Sequence, residues 1–216
     1  MNFTDLVTKI GDYAVRPDLA STVIPDMINM ALHDLEQDPE INWKHMEVKT
    51  TGNVTSTVDT ITKPTRYKEV KYLSITVYDQ RAWLDKTSYS DLMTTYPYDA
   101  TVKTIPEKFA LYTASNVFYL RPYPDATYAY ELTTYNYSAD LSSTNLTNWF
   151  TDNAWELLLY GALIELAPYL KAAEAIALLP VWQGLYTRRV EKLKRISASE
   201  DWAGSHQRLK YEGIPG

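Results

Sequence analysis

Apolar positions recur every three or four residues towards both ends of this 216-residue chain, and alternate with polar ones in between. Near the N-terminus Leu6, Val7, Ile10, Tyr13 and Ala14 fall on one helical stripe. Thr4 is its expected cap, Gly11 a weak point inside it and Pro17 its stop. A second helix is expected from about Pro25, a residue suited to a first helical turn, with Asp26 beside it to meet the helix dipole. Ile28, Ala31, Leu32 and Leu35 are its apolar positions and Pro39 closes it.

From Ile41 to about Tyr137 the pattern changes to strands rich in Thr, Val and Tyr, with turn residues at short intervals. Glu47–Thr51 and Val54–Thr62 flank Gly52–Asn53 as a hairpin. Val70–Tyr78 alternates as a strand, with Leu73, Ile75 and Val77 on one face. A short helix is expected near Ser88–Thr95, a hairpin over Phe109–Thr113 and Val117–Leu120, and a last strand over Tyr128–Tyr137.

The C-terminal part is helical again and more apolar. Thr151, Asp152 or Asn153 is expected to cap a helix with Trp155, Leu158, Leu159, Ala162, Leu163 and Leu166 on one face, and Leu157, Tyr160 and Ile164 on a second; such a helix is buried on both sides. A further run, 172–196, carries Pro180 inside it, where a kink or restart is expected. Trp182, Leu185, Tyr186, Leu193 and Ile196 form one stripe there, opposite Arg188, Arg189, Lys192 and Arg195. The expected architecture is therefore α+β: a helical core from 1–40 and 150–196, an inserted antiparallel β domain over 41–149, and an extended C-terminal tail over 197–216.

Composition narrows the chemistry. With no cysteine, disulfide frameworks, thiolate metal sites and cysteine nucleophiles are excluded. Eighteen tyrosines and six tryptophans against four phenylalanines favour half-wet surfaces and interfaces. A net charge of −6 argues against a dedicated nucleic-acid or polybasic membrane binder. The charge is uneven: residues 181–216 carry net +3 and residues 1–180 net −9, a hint of a docking tail. Residues 1–15 show no cationic region followed by an apolar run, and 154–170 is broken by Glu156, Glu165 and Pro168. A soluble protein of intracellular origin, without a membrane partner, is expected.

Catalytic signatures are missing: the sequence holds no GxGxxG, Walker loop, GxSxG or HExxH. His33 and Asp34 are adjacent on a helix and diverge by about 100°. Glu156 and Glu165 are nine residues apart, about 2.5 turns, and point to opposite sides of their helix. His45 and His206 have no fixed carboxylate partner in sequence. No enzyme, cofactor or metal site is expected. The tyrosines around Tyr96-Pro-Tyr98 and Tyr119–Tyr123 leave open an aromatic sugar platform, against the simpler reading of cross-strand packing or a protein interface.

Four segments then follow one another in order: Phe118-Tyr-Leu-Arg-Pro-Tyr-Pro-Asp125, Tyr130-Glu-Leu-Thr-Thr-Tyr135, Leu141-Ser-Ser-Thr-Asn-Leu-Thr-Asn-Trp149 and Leu157-Leu-Leu-Tyr-Gly-Ala-Leu-Ile-Glu165. Together with Val23–Leu35 and Lys63–Val70, they make the chain resemble the head-to-tail adaptor (connector) proteins of tailed, chiefly short-tailed, bacteriophages, over about residues 20–195. The resemblance implies a non-enzymatic virion protein of the neck, made in the host cytoplasm. It implies a dodecameric ring that joins the portal protein to the tail nozzle, sometimes with tail fibre proteins, around a DNA passage. Trp202, Arg208, Leu209, Lys210 and Tyr211 are the expected portal-binding tail; Trp155, Leu159, Leu163, Arg188 and Arg189 the expected subunit interface. Twelve copies would carry about −72, so that DNA passes the lumen without specific binding. Another virion ring, such as a nozzle or stopper, and a Tyr/Trp-rich glycan-binding module are the alternatives.

Overall fold

In the computed structural model, which describes residues 1–38, 44–96, 102–170 and 173–204 (the side chains of 174 and 197–204 excepted), the chain has an α+β fold and divides into two units. One is helical, Met1–Lys44 with Ala139–Gly216; the other is the β unit His45–Ser138. The inserted domain is thus shorter than the expected 41–149. Residues 139–148 belong with the helices because Asn29 of the second helix clamps them: its Nδ2 donates to the Leu141 carbonyl, and its Oδ1 accepts from the Leu141 amide. The Phe3 amide donates to the Leu146 carbonyl in the same way.

Helix α1 is Phe3–Tyr13 and α2 is Ile24–Gln37. Asn2, not Thr4, caps α1. Its side chain accepts from the Asp5 amide while Asp5 accepts from the Asn2 amide, a reciprocal capping box. Pro25 lies at the second position of α2, where its missing N–H leaves no partner unserved. Pro39 lies outside the described residues.

Asn148 caps a short helix, α4 (Trp149–Asn153), which Ala154 separates from α5 (Trp155–Leu170). Thr151, Asp152 and Asn153, expected as caps, are therefore inside α4. Helix α5 is the centre of the helical unit. It packs against α1, α2 and α4, and against α6 (Ala173–Gly204). Leu157, Leu158, Leu159, Leu163 and Leu166 are buried, each contributing roughly 1.5–3 kcal/mol by leaving water. Gly161 sets the closest approach: a Cβ there would stand 2.7 Å from the Ala31 Cβ of α2 and 3.3 Å from the Tyr186 ring of α6. Pro180 does not interrupt α6, and the helix runs on to Gly204. The tail expected to be extended from 197 is thus helical through eight more residues. No proline lies between 197 and 204, and Ala198, Glu200 and Ala203 are compatible with a continuing helix.

The β unit holds β1 (Glu47–Val54), β2 (Thr60–Thr62), β3 (Tyr67–Val77), β4 (Gln80–Trp83), β5 (Asp85–Lys86), a short helix α3 (Tyr89–Thr95), β6 (Lys103–Thr104), β7 (Lys108–Tyr112), β8 (Val117–Arg121), β9 (Tyr123–Pro124) and β10 (Tyr128–Asn136). They form sheets ordered β1-β10-β3-β4 and β2-β8-β7-β5, and a small pair β6-β9. Pairing is antiparallel except for β5 with β7 and β6 with β9. The expected hairpin across Gly52–Asn53 does not form. β1 runs through both residues because Tyr130 of β10 lies over Gly52, where any Cβ would stand 2.7 Å from its hydroxyl. A bulge in β3 leaves Lys71 without an opposite residue, so Val70 joins Leu73 and Ile75 on the buried side.

Val54, Ile61, Val70, Leu73, Ile75, Phe109, Phe118, Leu120 and Leu132, drawn from both four-stranded sheets, make the β core. At its edge Arg121 is 2% exposed. It donates to Asp59 and to the Leu120 carbonyl, and its guanidinium stacks 3.9 Å from the Tyr123 ring centre.

Candidate functional site

Two surfaces of the helical unit stand out, both involving α6. The first is basic. Arg188, Arg189, Lys192 and Arg195 line a groove of about 630 Å³ together with Glu156, Leu185 and Glu191. They recur at four- and three-residue steps, so the 3.6-residue turn places them along one flank. Arg189 is tied down: its Nε donates to Glu156 Oε2 at 2.7 Å, and its guanidinium lies 4.7 Å from the Tyr160 ring centre. That hydrogen bond holds the Glu156 carboxyl below its ordinary pKa and raises Arg189. Arg188, Lys192 and Arg195 are exposed and form no ion pair among the described residues.

The second surface is apolar. Tyr13, Ala14, Val15, Arg16, Leu170, Ala175, Leu178 and Trp182 enclose a hollow of about 400 Å³. Of these, Leu178 is roughly half exposed and Val15 is 80% exposed; Ile176, Val181 and Tyr169, on other sides of the same helices, are also roughly half exposed. The end of α1 explains Val15. The Arg16 amide donates to the Gly11 carbonyl and the Val15 amide to the Asp12 carbonyl, the two bonds of a Schellman ending. That ending needs a left-handed residue, a place usually held by glycine, yet Val15 occupies it at φ 52°. A β-branched residue there costs about 1–2 kcal/mol, and its side chain goes into water. Burial within the protomer therefore does not repay this strain.

No curated protein matches the chain. The SU10 adaptor protein family matches residues 1–209, nearly its whole length. The chain belongs to the SU10 adaptor protein family. It is a bacteriophage adaptor, a structural protein of the virion, and such a family is not an enzymatic one.

Set on this adaptor, the residues singled out from sequence divide into groups. Leu159 and Leu163 are 1% and 0% exposed within the protomer itself. Expected at a subunit interface, both already lie inside the protomer, where α2 and α6 of the same chain pack against α5. Trp155 is half buried beneath Lys9, whose Nζ lies 4.6 Å from its ring centre. Arg188 and Arg189 sit together on the basic flank. Trp202 lies in the last turns of α6, and Arg208, Leu209, Lys210 and Tyr211 lie outside the described residues, as does His206.

The remaining candidates of the adaptor are engaged in its own fold. His33 Nε2 meets Asp140 Oδ1 at 2.8 Å on the surface, across the clamped 139–148 segment. His45 is in the β unit, where burial lowers its pKa to about 4. Glu156 pairs with Arg189, while Glu165, with Asp34 and Asp38, acts on the half-buried Tyr186, whose pKa partial burial raises to about 12. The tyrosines considered as a sugar platform have other duties. Tyr96 donates to Glu107, Tyr123 accepts from Arg121, and Tyr119 packs with Tyr89 and Tyr112. Among the described residues no group of three His, Asp or Glu is arranged to hold a metal, and no helix is long and apolar enough to cross a membrane.

Sequence reasoning missed Val15, Leu178 and Val181. The signal for the last two was present: apolar residues surround the helix on all sides from 175 to 182, more than one buried stripe requires. Val15 gave none, because its left-handed backbone follows from how α1 ends.

Proposed function

We propose that this adaptor forms a closed ring, of twelve copies as in the proteins it resembles, that joins the portal to the tail nozzle around the DNA passage. Its C-terminal segment, with Trp202, Arg208, Leu209, Lys210 and Tyr211, is the part that grips the portal. The observation that carries this reading is the family match over residues 1–209. The apolar surface around Val15 and Leu178 supports it physically. Exposed apolar surface of this kind, with the strained Val15 among its lining residues, suits a protein that completes itself by assembling. The C-terminal reading rests on charge: net +3 over 181–216 against an acidic remainder, with apolar anchors at Trp202, Leu209 and Tyr211.

Deleting residues 199–216 tests it. The truncated protein is expected to keep its circular dichroism spectrum and unfolding midpoint while losing co-sedimentation with the portal. Unchanged portal binding would refute the assignment. A glycan-binding reading has less support, because Tyr96 and Tyr123 bond within their own chain.

A further inference from the structure

The basic flank of α6 has a counterpart on the same helical unit. Helix α2 presents Asp26, Met30 and Asp34 at four-residue intervals on the side opposite its buried Ile28, Leu32 and Leu35. Asp26 and Asp34 are exposed and form no ion pair among the described residues, and Met30 is 46% exposed. On α6, Arg188, Lys192 and Arg195 are equally exposed, beside a groove large enough for an apolar side chain. The two charged stripes match in length. At 1.5 Å per residue, Asp26 to Asp34 spans about 12 Å and Arg188 to Arg195 about 10.5 Å.

They do not meet within one protomer. Where α6 does turn towards α2, it uses Lys194, whose Nζ lies 3.4 Å from Asp38 Oδ2. At 100° per residue, Arg188, Lys192 and Arg195 lie roughly 100–160° around the helix from Lys194. The basic stripe therefore faces away from the acidic stripe of its own chain.

We infer that the α6 basic stripe of one copy docks on the α2 acidic stripe of a second copy, with Met30 entering the groove between Arg188 and Arg195. This rests on the ring reading above and specifies its contact. Two different patches that complement each other can pair head to tail, the kind of contact that builds a ring when its rotation closes. The acidic stripe also argues for a protein occupant over duplex DNA, since only a second copy satisfies both patches at once.

Charge exchange tests the contact. Assembly of the full chain is read by mass photometry, alone and with the portal of the same phage. The double variant Arg188→Glu/Lys192→Glu, and separately Asp26→Lys/Asp34→Lys, should each raise the concentration needed for assembly by on the order of tenfold or more, about 1.4 kcal/mol per tenfold. All four substitutions combined in one chain should restore assembly. Circular dichroism shows that each variant is folded, which is expected because every changed side chain is exposed.

The absence of cysteine allows a direct second readout. Met30→Cys and Lys192→Cys together should give a ladder of disulfide-linked oligomers on oxidation, and a mixture of the two single variants should stop at dimers. If the wild type forms rings that the reversals leave intact and no ladder appears, the contact is wrong while the ring reading stands. A wild type that stays monomeric under both conditions overturns both. Duplex DNA retained by wild-type rings and lost in Arg188→Glu/Lys192→Glu, with assembly unchanged, would assign the groove to DNA and overturn the inference.

Discussion

Gly161→Ala and Gly184→Ala make the same chemical change in adjacent helices and are expected to move stability in opposite directions. Each adds a methyl to a helix interior and gains up to about 1 kcal/mol of helix propensity. At Gly184 nothing stands within 4 Å of the new methyl, so that gain is kept, and the variant should be about 0.5–1 kcal/mol more stable. At Gly161 the new methyl stands 2.7 Å from the Ala31 Cβ, against the 3.5–4.0 Å of an ordinary carbon contact. Ala31 has no side-chain torsion through which to retreat, so α2 and α5 must separate by about 1 Å, pulling at Leu32 and Leu163 as well. Overpacking of a core costs about 1–3 kcal/mol. A rigid contact belongs in the upper half of that range, which leaves a net loss of about 1–2 kcal/mol. Urea unfolding followed by far-ultraviolet circular dichroism reads both, as a shift in midpoint at constant slope. For a chain of this size each kcal/mol is also about 2–4 °C in Tm. If Gly161→Ala were as stabilising as Gly184→Ala, the close packing of α2, α5 and α6 at Gly161 would be refuted.

Replacing Val15 by glycine should stabilise the isolated protomer by about 0.5–1 kcal/mol, because the left-handed strain is relieved at a modest entropic cost. The same variant should assemble less well, since the exposed side chain is removed; a variant that is neither stabler nor weaker in assembly would count against the strained-contact argument. His45 predicts a pH effect. Its folded pKa of about 4 lies below the ordinary 6.5, so the unfolded chain takes up the proton first. Its contribution is complete above pH 6.5 and is lost as pH falls from 6.5 towards 4, on the order of 3 kcal/mol in all. The urea midpoint of the wild type should drop further than that of His45→Gln between pH 7 and pH 4.5; parallel drops would show that His45 is not buried neutral.

Much of the fold was legible because local and global preferences agree. Helix α2 has Pro25 and Asp26 at its start and one apolar stripe; α5 is apolar all round and is the central helix; β7 and β8 pair around a short polar turn. Ser88 caps α3, accepting from the Asp91 amide. Where reading failed, a distant partner decided. Gly52 and Asn53 signal a turn, but β10 lies alongside and Tyr130 covers the glycine. The alternation of β3 shifts at Lys71 because the bulge is defined by the strand opposite. Residues 139–148 follow the last strand and are grouped with the β domain by sequence, while Leu141 bonds to Asn29, more than a hundred residues earlier.

The site was half legible. The basic flank of α6 follows from spacing alone, and so does the solvent position of Arg188. A doubly apolar helix suits packing between own-chain and neighbouring helices, and for Leu159 and Leu163 the own-chain part is visible in α2 and α6. Exposed apolar side chains such as Ile176 and Val181 look like core residues in sequence; only the positions of α1 and α5 show that nothing covers them.

The ring itself is tested most directly by the native mass of the adaptor bound to its portal. Twelve copies of a 24.8 kDa chain add about 300 kDa to the portal in a single cyclic layer. A complex of that mass, lost on deletion of 199–216, is the predicted result. An adaptor that stays at its monomer mass beside an unaltered portal would contradict the account.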